Sequence, residues 1–381
     1  MNRKKQQRIF IAVTNDLVCD NRVHKVAGTL LKSGAEITLI GRIKYDKTPL
    51  KQREYHTKRF NLIFKRGAFF YFEYNFRLLL FLLFNRFNII VANDLDTLPA
   101  SFIASKLKFK KLVYDSHEYY TEVPELVHRK FPKKVWMLIE RLFLPHIKYS
   151  YTVSESIADT YNQLYGINIR VIRNVPYCLE NNTIGSLNEG GEKVILYQGS
   201  LNIGRGLEQL IDAMEFVQDA KLRIIGDGDI KQQLLDRIKN KNLESKVEIK
   251  NRIPFDELIY ETNKADLGIA LEENLGLNYY YALPNKLFDY IQSRVPVLVS
   301  PFPEMQKIVR KYDVGTVYEH KSPLSLANKI NEIFELKNRY QKWKANTQKA
   351  ALDLCWENEQ KQLIGIYLEA GLQFQQSNLG G

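Results

Sequence analysis

The sequence predicts two consecutive α/β domains, each built on a parallel sheet that helices cover on both faces. Three observations predict this fold class: a length of 381 residues, two series of short apolar runs separated by longer segments of helical pattern, and a polar stretch between the series. A chain of this length suits two packed domains, each long enough to bury its own core. We therefore expect two Rossmann-like domains that face each other across a cleft.

The first series of predicted strands consists of six runs rich in β-branched and aromatic residues. They are RIFIAVT (8–14), EITLIGR (36–42), NIIVAND (88–94), KLVYDSH (111–117), YSYTVS (149–154) and IRVIRNV (169–175). Several are almost continuously apolar, which is typical of parallel strands buried on both faces. We assign residues 1–176 to a first domain.

The second series begins after a stretch without periodicity, YCLENNTIGSLNEGGE (177–192), which we interpret as a linker. Its predicted strands are VILYQGS (194–200), AKLRIIG (220–226), VEIKN (247–251), ADLGIAL (265–271), VPVLVS (295–300) and VGTVYE (314–319). Residues 193–345 form the predicted second domain. Residues 346–370 have a helical pattern and form a separate C-terminal helix.

Charge is distributed unevenly between the two halves. Residues 1–180 carry 30 Lys+Arg and 16 Asp+Glu, net +14, whereas the remainder carries 25 and 27, net −2. A basic half can serve nucleic acid, an anionic membrane surface or an anionic substrate. We find no recognition-helix, zinc-finger or RNA-binding signature, so a nucleic-acid-binding protein is the least favoured of these classes.

The three cysteines, Cys19, Cys178 and Cys355, lie far apart in the sequence. Their odd number and the lack of a C-x-x-C pair suggest neither a disulfide framework nor a structural zinc site, so we expect a reducing compartment. The apolar run near the start, Ile9 to Val13, is too short for the core of a signal peptide.

The longest apolar region, Ala68 to Phe84, permits two interpretations. It is interrupted by Glu73 and Arg77 and falls short of a bilayer span of about 20 residues, so we predict no transmembrane helix. One interpretation is a buried helix of the first domain. The other is an element that dips into the membrane interface, with Lys65, Arg66 and other nearby cations at anionic headgroups.

Three loops in the second domain suit an anionic ligand. Ligands of open parallel sheets bind beyond the carboxyl ends of the strands, and each of these loops follows a predicted strand or begins a predicted helix. They are the glycine-rich loop Gly199 to Gly206 with Arg205, the turn Gly226-Asp227-Gly228, and the helix start Pro284-Asn285-Lys286 with Asp289 one turn along. Backbone N–H groups, a guanidinium and an ammonium can bind a diphosphate there, and Asp289 can accept hydrogen bonds from a ribose.

The sequence resembles the retaining GT-B glycosyltransferases of the family 4 type. The resemblance rests on the order of these three loops and on motifs in the first domain: Asp20-Asn21-Arg22-Val23, Tyr114-Asp115-Ser116-His117-Glu118 and Asn174-Val175-Pro176. It covers almost the whole chain. It implies the GT-B fold, a C-terminal helix that returns to the first domain, and transfer of a sugar from a nucleotide diphosphate donor.

The resemblance also implies a role for each matching residue. Arg205 and Lys286 would bind the donor diphosphate and, with His117 at the transferred sugar, form the catalytic group. Donor-binding positions would be Gly199, Gly204, Gly206, Gly226, Gly228, Ile253, Pro284, Asn285 and Asp289, and acceptor-side candidates are Asp20, Arg22 and Glu118. Asp289 stands at the second glutamate of the family's E-x7-E signature. Tyr281 occupies the place of the first glutamate, and the nearby Glu272 and Glu273 are left unassigned.

We expect from this resemblance a hexosyltransferase with a metal-independent, front-face mechanism, because the two cations can stabilise the leaving diphosphate. Asp94 and Asp96, which follow a predicted strand, are interpreted as solvated or capping residues in preference to metal ligands. The expected partners are a nucleotide sugar, a glycan or lipid-linked acceptor, and an anionic membrane surface at the inner face of the cell membrane. A GT-B-fold sugar-nucleotide epimerase stays the alternative.

Overall fold

The computed structural model describes residues 6–18, 21–44, 50, 52–127, 129–179, 191–319 and 322–373. The chain divides into two compact units. One comprises Met1–Arg173 and Glu359–Gly381, and the other comprises Asn174–Asn358.

The first unit is built on a parallel sheet. Its strands are β1 (Arg8–Asp16), β2 (Glu36–Arg42), β3 (His56–Phe60), β4 (Ile89–Asn93), β5 (Lys111–Ser116), β6 (Tyr149–Thr152) and β7 (Arg170–Val171). They lie in the order β3-β2-β1-β4-β5-β6-β7, with every pair parallel. All five residues of β4 are buried, as its continuously apolar sequence predicts.

Six helices of this unit precede the crossing to the second unit. They are α1 (Asn21–Lys32), α2 (Gly67–Phe84), α3 (Leu98–Leu107), α4 (Pro124–Val127), α5 (Lys130–Phe143) and α6 (Glu155–Tyr165), with short 3₁₀ turns at Tyr120–Glu122 and Leu144–His146.

Sequence patterns miss one strand of this sheet. β3 has the sequence HTKRF and pairs only with β2, at the sheet edge. Its first three residues are exposed to solvent. An edge strand that faces water does not need an apolar run, and its sequence therefore carries no strand signal.

The second unit contains another parallel sheet. Its strands are β8 (Lys193–Ser200), β9 (Ala220–Asp227), β10 (Val247–Lys250), β11 (Leu267–Ala270), β12 (Val297–Val299) and β13 (Gly315–Val317). They lie in the order β10-β9-β8-β11-β12-β13. All six were predicted. Their helices are α7 (Leu207–Ala213), α8 (Lys231–Asn240), α9 (Phe255–Asn263), α10 (Leu277–Tyr280), α11 (Asn285–Gln292), α12 (Pro303–Tyr312), α13 (Pro323–Glu335) and α14 (Lys337–Asp353).

The C-terminal region is divided between two helices, so the prediction of one helix over 346–370 is wrong. α14 ends at Asp353, and the next residue, Leu354, leaves the helical conformation with ψ 59°. A last helix, α15 (Trp356–Glu369), then begins. In the first unit it pairs Glu369 with Arg170 and places the Tyr367 hydroxyl 3.3 Å from that of Tyr151. Leu354 and Cys355 are buried, so packing fixes the break between the helices.

The predicted α/β class with two parallel sheets is thus confirmed. In each sheet the strand order reverses beside the first strand, between β1 and β4 and between β8 and β11. Loops at the carboxyl ends of such a strand pair diverge and leave room for a ligand.

Candidate active site

A buried carboxylate lies between two cations at the reversal point of the second sheet. Glu272 follows β11 and is fully buried, and its Oε1 lies 3.2 Å from Nη1 of Arg205 and 3.1 Å from Nζ of Lys286. Arg205 comes from the loop after β8, and Lys286 from the first turn of α11. Two positive charges therefore share one negative charge, and the group carries a local surplus that attracts an anion.

Lys286 is held beneath an aromatic ring with much of its hydrogen-bonding capacity unused. Its side chain is 9% exposed, and its Nζ lies 4.0 Å from the centroid of the Tyr197 ring. The ion pair with Glu272 is close but poorly aligned, so that no described residue accepts a hydrogen bond from Nζ. Because an ammonium has three donors, the oxygens of a phosphate can be accommodated here.

The helix start around Lys286 differs slightly from the prediction. Pro284 precedes α11 in an extended conformation and is not in its first turn, which begins at the exposed Asn285. The free N–H groups of this first turn lie beside Lys286, so a helix N-terminus adds to the positive potential.

Arg205 is anchored by a ring and by a carboxylate. Its guanidinium lies 4.9 Å from the centroid of the Tyr279 ring and pairs with Glu272. Burial lowers the pKa of Arg205, but Glu272, Tyr279 and Tyr197 together raise it more, so the net shift is upward. The guanidinium therefore stays charged and keeps its fork of donors for a ligand.

The close packing of the loops after β8 and β9 requires glycine at positions 226 and 228. A Cβ at Gly226 would lie 1.9 Å from the carbonyl oxygen of Gly199, and one at Gly228 would lie 2.5 Å from that of Leu201. Gly199 also has φ +133°, which side chains rarely adopt. The loops after β8 and β9 thus pack backbone against backbone. This contact requires glycine at 226 and 228, and the donor-binding role that the resemblance implies for them stays a prediction.

Gly204 and Gly206 shape the loop on either side of Arg205. Both have positive φ, +83° and +66°, and a Cβ at Gly206 would lie 2.3 Å from the carbonyl oxygen of Leu271. This close approach brings the Arg205 loop onto the chain segment that carries Glu272. The two glycines therefore position the ion pair.

Asp289 lies in a second polar group, on the next turn of α11. It accepts a hydrogen bond of 3.1 Å from the amide of the buried Gln198, whose own oxygen accepts one of 2.7 Å from Thr262. These three side chains line a pocket together with Leu258 and Gln292. Ile253 is half-buried and packs against the apolar core of the unit, not among the pocket-lining residues.

The first unit holds a chain of buried charges at the carboxyl end of β5. Arg22 lies 2.8 Å from Asp115 and also donates a hydrogen bond of 3.0 Å to the carbonyl oxygen of Ile172. On the other side, Nε2 of His117 lies 3.2 Å from Asp115. Burial raises the pKa of Asp115, whereas Arg22 and His117 lower it more, to about 2. Arg22 thus acts on His117 through Asp115, which the sequence analysis did not include among the site residues.

His117 is held as a cation. Burial lowers the pKa of His117, but Asp115 and Asp94 raise it more, to about 10. Asp94 also accepts a hydrogen bond of 2.8 Å from the backbone N–H of His117. Asp94 adopts a left-handed φ of 56°, a strained conformation for a residue with a side chain, at the reversal point of the first sheet. An imidazolium donates hydrogen bonds but cannot take up a proton.

The other candidates of the first unit are placed as follows. Glu118 is half-buried next to His117, and its carbonyl oxygen accepts a hydrogen bond of 2.9 Å from Ser116. Asp96 accepts a hydrogen bond of 2.5 Å from the hydroxyl of Thr14. Asp20 lies outside the described residues.

Side chains that can bind a metal ion converge at one place in the described part of the chain. They are Cys178, Cys355 and Glu357, whose sulfur and carboxylate atoms all lie within 4.8 Å of one another. Asp94 and Asp96 do not belong to such a group. The cysteines that are distant in the sequence are therefore neighbours in the fold, which their spacing did not indicate.

Glu272 is the main residue that the sequence analysis left undecided. Its neighbour Glu273 is half-buried, and its backbone N–H donates a hydrogen bond to Gly204, but no ion pair joins its side chain to the described residues near it. What distinguishes them is burial, because the Glu272 side chain is fully buried between the two cations whereas Glu273 is only half-buried.

Comparison with known proteins agrees with this arrangement. Residues 20–175 match the family described as Glycosyltransferase Family 4, and residues 180–350 match Glycosyl transferases group 1. No curated protein sequence matches the chain.

Several solved structures share the fold along nearly the whole chain. Sucrose-phosphate synthase from Thermosynechococcus elongatus has a TM-score of 0.77 at 15% identity, over 96% of this chain and 99% of that one. HepE from Anabaena in complex with UDP-glucose has a TM-score of 0.74 at 16% identity, over 96% and 100%. WaaG, a glycosyltransferase involved in lipopolysaccharide biosynthesis, has a TM-score of 0.69 at 13% identity, over 94% and 99%.

The two family matches follow one another along the chain and meet at the crossing between its two units. Their order, the two parallel sheets and the shared fold identify the chain as a group 1 glycosyltransferase with the GT-B fold.

Proposed function

We propose that this glycosyltransferase moves a hexose or N-acetylhexosamine from a nucleotide diphosphate sugar to a glycan or lipid-linked acceptor in surface polysaccharide synthesis. The observation that carries the proposal is the cation pair of Arg205 and Lys286 around the buried Glu272. The pair has a surplus positive charge at the carboxyl end of a parallel sheet, where a diphosphate group binds favourably. The UDP-glucose complex of HepE, a protein with this fold, supports a nucleotide sugar as donor.

The two cations have a direct role in the proposed reaction. As the bond between the sugar and the diphosphate breaks, negative charge develops on the leaving phosphate oxygen. Arg205 and Lys286 stabilise that charge, and the acceptor hydroxyl attacks the anomeric carbon on the same face, so configuration is retained. We propose that no divalent metal is needed, because two fixed cations supply the charge that a metal supplies elsewhere.

Asp289 and His117 have binding roles in this proposal. Asp289, which accepts a hydrogen bond from Gln198, is proposed to accept hydrogen bonds from the ribose hydroxyls as well. His117 of the first unit is proposed to donate a hydrogen bond to a sugar oxygen. Its raised pKa supports a donor in preference to a general base.

We also propose that the first unit contacts an anionic membrane at the inner face of the cell membrane. What supports this is an unusual distribution of apolar side chains on α5. Phe131, Val135, Leu138 and Leu142 form a stripe at helical spacing that faces solvent, while Glu140 on the opposite side is buried. Lys130, Lys134 and Arg141 flank the stripe, and cations beside an exposed apolar face suit anionic headgroups.

α2 adds a second apolar face. Its residues Phe70, Tyr74, Leu78 and Leu82 are buried in the core, and the hydroxyl of Tyr74 donates a hydrogen bond to the carbonyl oxygen of Val13. Phe69, Phe72, Phe76 and Leu80 lie on the opposite side and are exposed. By length and composition alone, α2 is apolar enough to cross a membrane. About a fifth of it, 22%, is buried inside the fold. One face of α2 therefore belongs to the core of the first unit, and its exposed apolar face supports the proposed membrane contact, which stays a prediction.

The transfer reaction is tested with the purified chain. A thermal-shift screen of UDP-, GDP- and dTDP-sugars identifies the donor, since a ligand of the folded state raises the melting temperature. Transfer from that donor to lipid-linked acceptors is then followed, and proton NMR of the product gives its anomeric configuration. The proposal predicts retained configuration and unchanged rates in EDTA. Free sugar isomers released without an acceptor would support an epimerase instead.

Membrane contact is tested by flotation with vesicles of phosphatidylglycerol and phosphatidylcholine. We expect binding that rises with the anionic fraction and is lost in the double variant Phe72→Ser/Leu138→Ser. The matched control is Leu352→Ser, because Leu352 is equally exposed but lies on α14 of the second unit. Equal flotation of both variants would refute the contact surface.

A further inference from the structure

Two thiols meet where the chain passes between its two units. The crossings lie at residues 173–174 and 358–359, and Cys178 and Cys355 are close to them on the side of the second unit. The two segments are joined there by hydrogen bonds: Trp356 N–H donates to the carbonyl oxygen of Pro176 at 2.8 Å, and Cys178 N–H donates to Glu357 at 3.0 Å. Both cysteines are free thiols, and their sulfur atoms lie within 4.8 Å of each other.

From this geometry we propose that Cys178 and Cys355 form a reversible disulfide when the protein is exposed to a peroxide. The sulfurs must approach by a few ångströms to reach bonding distance, about 2.05 Å. Cys178 can move for this purpose, since it lies outside helices and strands and is half-buried. The proposed bond involves neither Arg205 nor Lys286, but Pro176 and Leu179, which lie on either side of Cys178 in the sequence, line the pocket of Asp289.

The two sulfurs differ in accessibility, which sets the order of steps. The half-buried Cys178 is reached first. Its thiol loses a proton, and the thiolate attacks one peroxide oxygen, so that the O–O bond breaks and a sulfenic acid forms. The other oxygen takes up the released proton and leaves as water or an alcohol. The buried Cys355 then attacks that sulfur. A sulfur–sulfur bond forms, and the hydroxyl leaves as water with the thiol proton. In total the two thiols lose two electrons, and the peroxide gains them.

Glu357 also lies close to the two sulfur atoms, so a metal ion held by these three side chains is the alternative that the test must exclude.

The bond would enclose the second unit in a covalent ring. Residues 178 and 355 lie near the ends of Asn174–Asn358, so almost the whole unit lies within the loop that the disulfide closes. Closing a long loop restricts the unfolded chain strongly. We expect the oxidised protein to melt about 5–10 °C higher than the reduced protein, as typical disulfide stabilities imply.

The test uses the full chain with Cys19→Ser, which leaves only the two thiols of interest. After treatment with hydrogen peroxide and denaturation, N-ethylmaleimide should add to neither cysteine, and it should add to both after reduction. The melting temperature should rise on oxidation and return with dithiothreitol. The Cys19→Ser/Cys355→Ser variant is the matched control and should show no rise.

Three results would overturn the proposal. They are two maleimide adducts after oxidation, a disulfide-linked dimer in place of the internal bond, or stoichiometric zinc bound to the untreated protein that blocks oxidation.

Discussion

Replacement of Glu272 by Gln removes the carboxylate that Arg205 and Lys286 share. Both cations lie within 3.2 Å of the same oxygen, so they are at most about 6 Å apart. At an effective dielectric constant of about 20, each of the two attractions that the substitution removes amounts to about 5 kcal/mol, and the desolvation cost of the buried carboxylate, which is removed as well, offsets much of this loss. This agrees with the cost of about 3–5 kcal/mol for removal of one partner from a buried ion pair. We expect Glu272→Gln to lower the melting temperature of the second unit by about 6–12 °C.

A bound diphosphate should reverse much of this loss. In the variant, the diphosphate neutralises two cations that have no carboxylate between them. In the native protein, Glu272 already neutralises part of that charge, so the ligand gains less from binding. A nucleoside diphosphate without the sugar should therefore raise the melting temperature more in Glu272→Gln than in the native chain.

Differential scanning fluorimetry with and without the nucleotide measures both effects. The matched control is Glu273→Gln. Burial raises the pKa of Glu273, and the nearby Glu208 and Glu272 add to that effect, so loss of its charge should not destabilise the fold. The reasoning is refuted if the two variants melt alike, or if the nucleotide stabilises Glu272→Gln less than the native protein.

Three further predictions follow from the two sites. First, His117 has a pKa of about 10 in the folded chain, above its ordinary value of about 6.5. Its contribution to stability is therefore complete below pH 6.5 and is lost as the pH rises through 10. NMR titration should show a lower pKa for His117 in the Asp115→Asn variant, which lacks the negative charge beside the imidazole. Second, Gly226→Ala should lower the free energy of unfolding by several kcal/mol in urea titrations, because the added Cβ would collide with the carbonyl oxygen of Gly199. Gly28→Ala is the matched control: its added Cβ has open space around it on α1, so it should raise the free energy of unfolding by about 0.5–1 kcal/mol. Third, kcat for transfer should not change when EDTA removes divalent metals, and recovery of activity only on addition of Mg²⁺ or Mn²⁺ would contradict this.

The sequence predicts the sheets well because their strands are buried. RIFIAVT, NIIVAND and VILYQGS are apolar runs whose burial on both faces leaves a strong local signal. β3 has no such signal because it lies at an exposed edge. The break between α14 and α15 was also missed, since it depends on how Leu354 packs rather than on a proline or glycine.

Contacts between distant residues set the limit of prediction at the site. Arg205 and Lys286 were identified by motif, but the choice of Glu272 over Glu273 requires knowledge of which side chain points inward. Similarly, the proximity of Cys178 and Cys355 arises from the crossing segments and has no counterpart in their spacing. The outward apolar face of α5 could have been recognised as amphipathic, but only the fold shows that its apolar side faces solvent.

Binding of a nucleoside diphosphate to the Arg205 and Lys286 pair is tested most directly by isothermal titration calorimetry. Each charged hydrogen bond contributes about 1.5–3 kcal/mol, so Arg205→Ala/Lys286→Ala should raise Kd at least about a hundredfold. Lys239→Ala, an exposed lysine at the end of α8, should leave Kd unchanged. A double variant that binds the nucleotide as tightly as the Lys239→Ala control would contradict the proposed site.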